Sequence, residues 1–524
     1  MTTEIVVDAT GPETVPSKRS IDGTRRFIRD VFFANLPLPF QKIRTYLWLV
    51  FFARAFGPSG FGIWSLFQTT LGISLVLASM TQGNAMMRFL SGDRTRGETN
   101  RVFSSVLAAV SVSSLVLALG LAIFSTRLSH LLFRDPRGRT VLLLIALIVP
   151  LETYFEEMRG FLRARRLNRS WAFFTLGRQV PETLLLIAVV WWWVRDPVAA
   201  VGVYLVTAGL SVLLGFIYLV RCQHTRLARP NRAVMSRYVP YGLALVPGAL
   251  AASLSFAADR YLVGYYLGLP QVGIYSVCFT VSALGFFFVG PLNDVLFPEM
   301  VALYDAGDWN QFYARFSAVQ KFVTGLAVGA SALVISFPQQ ILRLLTTRDF
   351  SSGGPTLAIL GLQGIFMSIV MLYIVMLLVR LRVWWTTAVW GGMGAMVLLI
   401  DVVLLPRVGI VGAGFSQLIS SVVGAVLVVG LNRELFRRTF HFVWVLQTGA
   451  ALLGVCVLAH FWRSSAFSIG QSLEHIVLGA AVFVFGLLAT RFLRVSELVA
   501  LKKALSRSGA QAIKQSAVPD GAQA

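Results

Sequence analysis

Arg44 stands near the middle of an apolar stretch that runs from about residue 31 to residue 55. A charge there is expensive unless it meets a wet cavity or a partner, so it is a functional candidate. Its planar guanidinium donates two hydrogen bonds at once to phosphate oxygens and keeps its charge at any cellular pH. Arg44, Leu47, Trp48 and Phe51 share a face at helical spacing. Arg54 and Arg88 lie toward the ends of apolar stretches, where snorkelling to the interface explains them equally well. Glu152, Glu156, Arg159 and Arg163 recur at spacings of four, three and four, with Glu157 beside them. They form either a self-neutralised stripe against another helix or the lining of a cavity that relays a proton. Arg178 and Glu182 flank Pro181, which is expected to kink its helix, and read first as a structural pair.

Asp259 and Arg260 are adjacent and therefore point about 100° apart on a helix. If Asp259 faces a shared cavity, Arg260 faces a neighbouring helix. An aspartate there suits a coupling cation or proton, or serves as counter-charge to an arginine. Asp294, Glu299 and Asp401 fall near the ends of apolar stretches, where interfacial solvation accounts for them. Trp191 to Trp193, Trp384, Trp385 and Trp462 fit an interfacial aromatic belt.

The elements that must position these charges are membrane spans. With 56% hydrophobic residues, 13% charged and a mean hydropathy of +0.72, 524 residues carry more apolar surface than a soluble core hides. Runs of roughly 20 residues match helices crossing about 30 Å of hydrocarbon, not barrel strands. The reading is an all-α integral membrane protein with about fourteen spans. They lie near 31–55, 62–89, 102–125, 140–162, 171–194, 199–220, 239–266, 272–299, 319–337, 355–379, 384–404, 409–431, 442–461 and 475–492. The net charge of +22 sits in short segments between spans, as topology signals do, and calls for anionic lipid and not for nucleic acid. With the amino terminus inside, most Lys and Arg fall on the cytoplasmic side, while Arg127, Arg134, Arg137 and Arg139 run against that rule. Cys222, Cys278 and Cys456 are far apart, so neither a disulfide nor a metal site is expected, nor any cofactor.

The chain also repeats itself. Gly57 matches Gly268, and Gly62-Ile63-Trp64-Ser65 matches Gly273-Ile274-Tyr275-Ser276, both at an offset of about 211 residues. Val201-Gly202 matches Val411-Gly412 at nearly the same offset. Two pseudo-symmetric six-helix lobes follow, with two extra C-terminal helices. The expected boundaries are a cytoplasmic tail at 1–24, an N-lobe at 25–220, a linker at 221–238, a C-lobe at 239–438, helices 13 and 14 at 439–495 and a second tail at 496–524. An even number of spans per repeat puts the symmetry axis along the membrane normal, a layout suited to rocking of two bundles. In this register Arg44 corresponds to Ser255 and Trp48 to Asp259, so Arg44 and Asp259 are both assigned to the central cleft.

In order and spacing, Arg54-Ala55-Phe56-Gly57-Pro58, Gly62-Ile63, Asp259-Arg260-Tyr261-Leu262-Val263-Gly264, Gly273-Ile274-Tyr275, Phe297-Pro298 and Val408-Gly409-Ile410-Val411-Gly412-Ala413 carry a family resemblance. The chain resembles, over about 25–495, the O-antigen and lipid-linked oligosaccharide flippase branch of the multidrug, oligosaccharidyl-lipid and polysaccharide exporter superfamily. That resemblance implies a non-enzymatic inner-membrane transporter with both termini cytoplasmic. It would move a polyprenyl-diphosphate-linked oligosaccharide by alternating access, with membrane lipids and polysaccharide polymerase or assembly proteins around it. A cationic cavity would take the diphosphate and sugar. The head-group candidates are Arg44, Arg88, Arg159, Arg178 and Arg54; the coupling or counter-charge candidates are Asp259, Glu152 and Glu156. A drug/cation antiporter of the same fold would want an acid in the first span, where this chain has Lys42, Arg44 and Arg54. A membrane polymerase would want a long outer loop, and a P-loop is absent from the sequence.

Overall fold

The computed structural model describes residues 33, 36–90, 95–462 and 469–492, and beyond them the expected tails at 1–24 and 496–524 lie outside the described residues. Nearly all of what is described is helix. The longer elements are α1 (Pro37–Ser79), α2 (Gln82–Phe89), α3 (Arg96–Ile123), α4 (Arg137–Ala164), α5 (Asn168–Trp192), α6 (Pro197–Arg221), α7 (Arg232–Ala257) and α8 (Asp259–Leu267). There follow α9 (Leu269–Ser282), α10 (Val289–Asp305), α11 (Trp309–Ser336), α12 (Gly354–Val379), α13 (Val383–Val408), α14 (Ile410–Leu431), α15 (Phe442–Phe461) and α16 (Ile469–Ala489).

Among the described residues, eleven helices are long and apolar enough to cross a membrane, or twelve if the bent pair Leu269–Gly285 and Val289–Asp305 is one span. Two elements separate this from the expected fourteen. α1 is 43 residues long, about twice a span, and is broken at Gly57, where φ is 65° and ψ is −175°. α4 has the length of a span but carries its charges in the apolar run.

The turn at Gly57 recurs at Gly268, with φ 83° and ψ 172°. Only glycine adopts this backbone freely, and Pro58 and Pro270 follow directly or one residue on, already set for a new helix. Other boundaries have local causes too. Thr95 and Glu98 form a capping box at the start of α3, Asp196 caps α6 ahead of Pro197, and Asn231 caps α7. The last of these makes the stretch expected as linker helical from Arg232 onward.

α1 packs against α4, α5 and α6, and also against α9, which is the counterpart in the second repeat of the part of α1 that follows Gly57. There the two halves meet residue for residue. Ser65 Oγ donates to Ser276 Oγ at 2.6 Å, 211 residues apart. A methyl on Gly62 would collide with the Leu269 carbonyl, and one on Gly273 with the Pro58 carbonyl, so both contacts need glycine. At this end one apolar core, including Trp64, Phe67, Tyr275 and Phe350, is shared by both halves. At the other end α12 and its neighbours bury Phe312, Phe316 and Tyr373, while α4 and its neighbours bury Phe103, Phe161 and Trp171 as a separate core. A second contact between the halves closes that end: Thr81 Oγ1 donates to the Gly242 carbonyl at 2.8 Å, and Tyr238 of α7 is buried against the α4 side.

Candidate functional site

Between those two contacts lies a cavity of about 430 Å³ lined from both halves, with Arg44, Trp48 and Gln68 from α1 facing Ser253, Phe256 and Arg260 from α7 and α8. Its lining among the described residues includes two arginines and no carboxylate. Arg44 reaches it from the middle of the first apolar stretch and stacks over Trp48 at 4.5 Å. Its acceptor is Glu182 of α5, 3.4 Å from Nη1, and its side chain keeps 23% of its exposure. Arg44 Nε, Trp48 Nε1 and Gln68 Nε2 are buried N–H donors without a hydrogen-bond partner. All three belong to residues lining the same cavity, and buried polar groups are rarely left so.

Behind Arg44 is a buried charge cluster built from α1, α4 and α5. Arg178 Nη1 donates to Glu152 Oε2 at 2.9 Å, with a second, very short bond from Nη2 to Oε1, and Nε donates to Glu182 Oε2 at 2.9 Å. The Arg178 guanidinium also lies 4.3 Å from the Phe155 ring, and Tyr204 of α6 sits against Glu152. Arg44, Glu152, Arg178 and Tyr204 line a smaller cavity of about 180 Å³ that shares Arg44, Gln68 and Gly72 with the main one. The four-charge set is neutral as a whole, which is what its burial demands.

The remaining sequence candidates divide. Arg159 pairs with Glu156 at 2.6 Å, as the stripe reading of α4 expects, and both line the small cavity. Glu152 departs from that stripe and pairs across to α5 instead. Arg54 is elsewhere: its Nη2 donates to the Leu344 carbonyl at 2.5 Å, tying the first repeat to the second near Gly57. Arg88 lies beyond the Met80–Thr81 break, in α2, with the rings of Tyr241 and Phe89 5.3 and 6.0 Å away.

The assignment of Asp259 to the cleft is corrected. Asp259 is fully buried, accepting from the Tyr275 hydroxyl, from Gln417 Nε2 at 2.8 Å and from the Arg260 amide at 2.7 Å. Arg260 is the neighbour that lines the cavity, anchored by the Phe256 carbonyl at 2.7 Å and lying 3.7 Å from Asp259. The reason lies in its neighbours: Tyr275 of α9 and Gln417 of α14 supply donors to Asp259, so the position that Trp48 holds in the first repeat lines the cavity there and is buried here. Asp401 is corrected as well. It is fully buried inside α13, with Ser416 of α14 bonded to Oδ1 and Oδ2 left without a partner. Glu299 does lie at a half-exposed position, paired with Arg315 at 3.0 Å. The side chain of Asp294 is outside the described residues.

Sequence reasoning missed Arg260 and the link from Glu182 to Arg44. The mid-span cation at 260 was the available signal for the first; the second spans 138 residues and left none.

Comparison with known proteins adds the following. A family model described as "Polysaccharide biosynthesis protein" matches residues 29–304, just over half of the chain. The "Probable low-salt glycan biosynthesis flippase Agl15" of Haloferax volcanii is 22% identical over 356 residues, which is 66% of this chain and 68% of that protein. Among solved structures, the lipid II flippase MurJ in an inward closed conformation superposes with a TM-score of 0.69 at 14% identity, covering 86% of this chain and 97% of its own. An inward-facing multidrug resistance MATE family transporter of the MOP superfamily gives 0.61 at 14% identity, covering 75% and 95%. The fold of this chain is the one those structures share.

Proposed function

The chain belongs to the polysaccharide biosynthesis protein family, and on that premise we propose that it is a flippase for a polyprenyl-diphosphate-linked oligosaccharide. It carries its substrate from the cytoplasmic to the outer leaflet of the inner membrane by alternating access, with both termini in the cytoplasm. The observation that carries this reading is the donor imbalance of the main cavity. Arg44 Nε, Trp48 Nε1 and Gln68 Nε2 want acceptors, and no lining carboxylate supplies one. A diphosphate is rich in acceptor oxygens and bears two negative charges, so it satisfies those donors and the guanidinium of Arg260 together. Hydrogen bonds to charged groups contribute on the order of 1.5–3 kcal/mol each, enough to move a charged head group out of water if several form.

Arg44 and Arg260 are the proposed head-group residues; Arg159 and Arg178 act behind them by holding carboxylates in place. Asp259 is proposed as the counter-charge that keeps Arg260 oriented. The lipid tail stays in the bilayer while the glycan travels with the diphosphate, and the product on the outer leaflet is handed to polymerase or assembly proteins. A cationic drug would meet two arginines and no acid in this cavity, which disfavours an antiporter of that kind. The test is the sidedness of lipid-linked oligosaccharide in cells lacking this chain. Accumulation on the inner leaflet is expected; normal sidedness with intact surface polysaccharide would overturn the reading.

A further inference from the structure

We propose that the buried cluster of Arg44, Glu182, Arg178 and Glu152 takes up one proton each time Arg44 leaves it for a diphosphate, which makes Glu182 a proton-coupling carboxylate. The inference rests on the diphosphate reading above and adds to it a site for the coupling ion.

With Arg44 in place, two guanidinium groups face two carboxylates. Glu152 is held by both ends of the Arg178 fork, whereas Glu182 has one Arg178 bond at 2.9 Å and the long contact to Arg44 at 3.4 Å. When Arg44 turns to phosphate oxygens, Arg178 alone faces two carboxylates, and Glu182 Oε1 loses its donor. The Glu152 and Glu182 side chains are 5% and 1% exposed, so a net negative charge left there has almost no water around it. Such a charge is removed most cheaply by protonation.

The surroundings offer no other compensation. Tyr204 of α6 lies against Glu152 and contributes a neutral hydroxyl, while Arg159 and Glu156 of α4 cancel each other at 2.6 Å. Gln68 and Gln179, which also line the small cavity, are neutral. At about 180 Å³ that cavity has room for water, and Arg44 stands between it and the main cavity. Glu182 itself lines neither cavity, and Arg44 is the residue that stands in contact with both cavities and with Glu182, so its departure is the step that lets water from them reach the carboxylate.

The test measures binding of a farnesyl-diphosphate-linked N-acetylglucosamine to the whole protein in lipid nanodiscs across neutral pH. As a diester this probe lacks the terminal phosphate group whose second pKa is about 6, so its own charge stays fixed. Uptake of one proton per probe weakens binding about tenfold for each pH unit of rise. Wild type is expected to show that slope, and Glu182→Gln to bind with a slope near zero. Glu152→Gln removes the same excess charge and serves if the first variant does not fold. A flat wild-type profile with binding intact overturns this inference and leaves the diphosphate reading standing. A tenfold slope surviving in both variants also overturns it. Failure of wild type to bind the probe at any pH overturns the diphosphate reading, and this inference with it.

Discussion

The two halves of this chain bury acids to a comparable degree but neutralise them in opposite ways. In the first half, Glu152 and Glu182 are met by full charges from Arg178 and Arg44, and the outermost of those charges reaches the cavity. In the second half, Asp259 is met mainly by a hydroxyl and an amide from Tyr275 and Gln417, and Asp401 by the Ser416 hydroxyl. The duplicated backbone kept its register, to the point that Ser65 touches Ser276, while the polar chemistry diverged. The first half holds a cavity cation with a donor to spare, and the second holds one that spends part of its fork on its own backbone. Arg44 has a buried Nε without a partner, whereas Arg260 is anchored to the Phe256 carbonyl.

The contrast can be broken, or sharpened, in several places. The largest effect is expected where the halves meet. A Ser65→Cys, Ser276→Cys pair, oxidised to a cross-link, should stop transport completely and recover it on reduction; transport through the cross-linked form would exclude separation of α1 from α9 as part of the cycle. Next comes Arg178→Ala, which strands two buried carboxylates. It should cost about 3–5 kcal/mol in thermal or denaturant unfolding, the range for removing one partner of a buried ion pair. Asp259→Asn should cost less, about 1–2 kcal/mol, because its donors are largely neutral and an amide oxygen still accepts. Equal losses for the two variants would erase the proposed difference between the halves. The smallest effect separates the two cavity arginines: Arg44→Lys should slow transport more than Arg260→Lys. A point charge cannot reproduce the fork that Arg44 offers, while Arg260 uses part of its fork on its own backbone.

Several of these features were legible in the residues themselves. The turns at Gly57 and Gly268 announce themselves because a positive φ followed by proline leaves a fixed signature. Arg44 stood out because a lone cation in an apolar span has no local partner to explain it. What the sequence did not disclose depends on where helices break and which ones cross. The repeat register equates Asp259 with Trp48 and so assigns it to the cleft, whereas the donors that bury it come from Tyr275 and Gln417 on α9 and α14, which that register does not record. Asp401 falls near the end of its expected span, yet α13 continues through Pro406 to Val408 and Asp401 is fully buried. The partnership of Arg44 with Glu182 joins α1 to α5, and no periodicity records a contact across 138 residues.

The central claim is that Arg44 takes the diphosphate in the cleft, and reconstituted proteoliposomes test it most directly. Wild type and Arg44→Ala, matched for incorporation, would be assayed for movement of a farnesyl-diphosphate-linked N-acetylglucosamine between leaflets. Losing one charge-assisted fork, worth about 1.5–3 kcal/mol or more, predicts a rate at least tenfold lower in the variant. An unchanged rate in correctly folded Arg44→Ala protein would contradict the account.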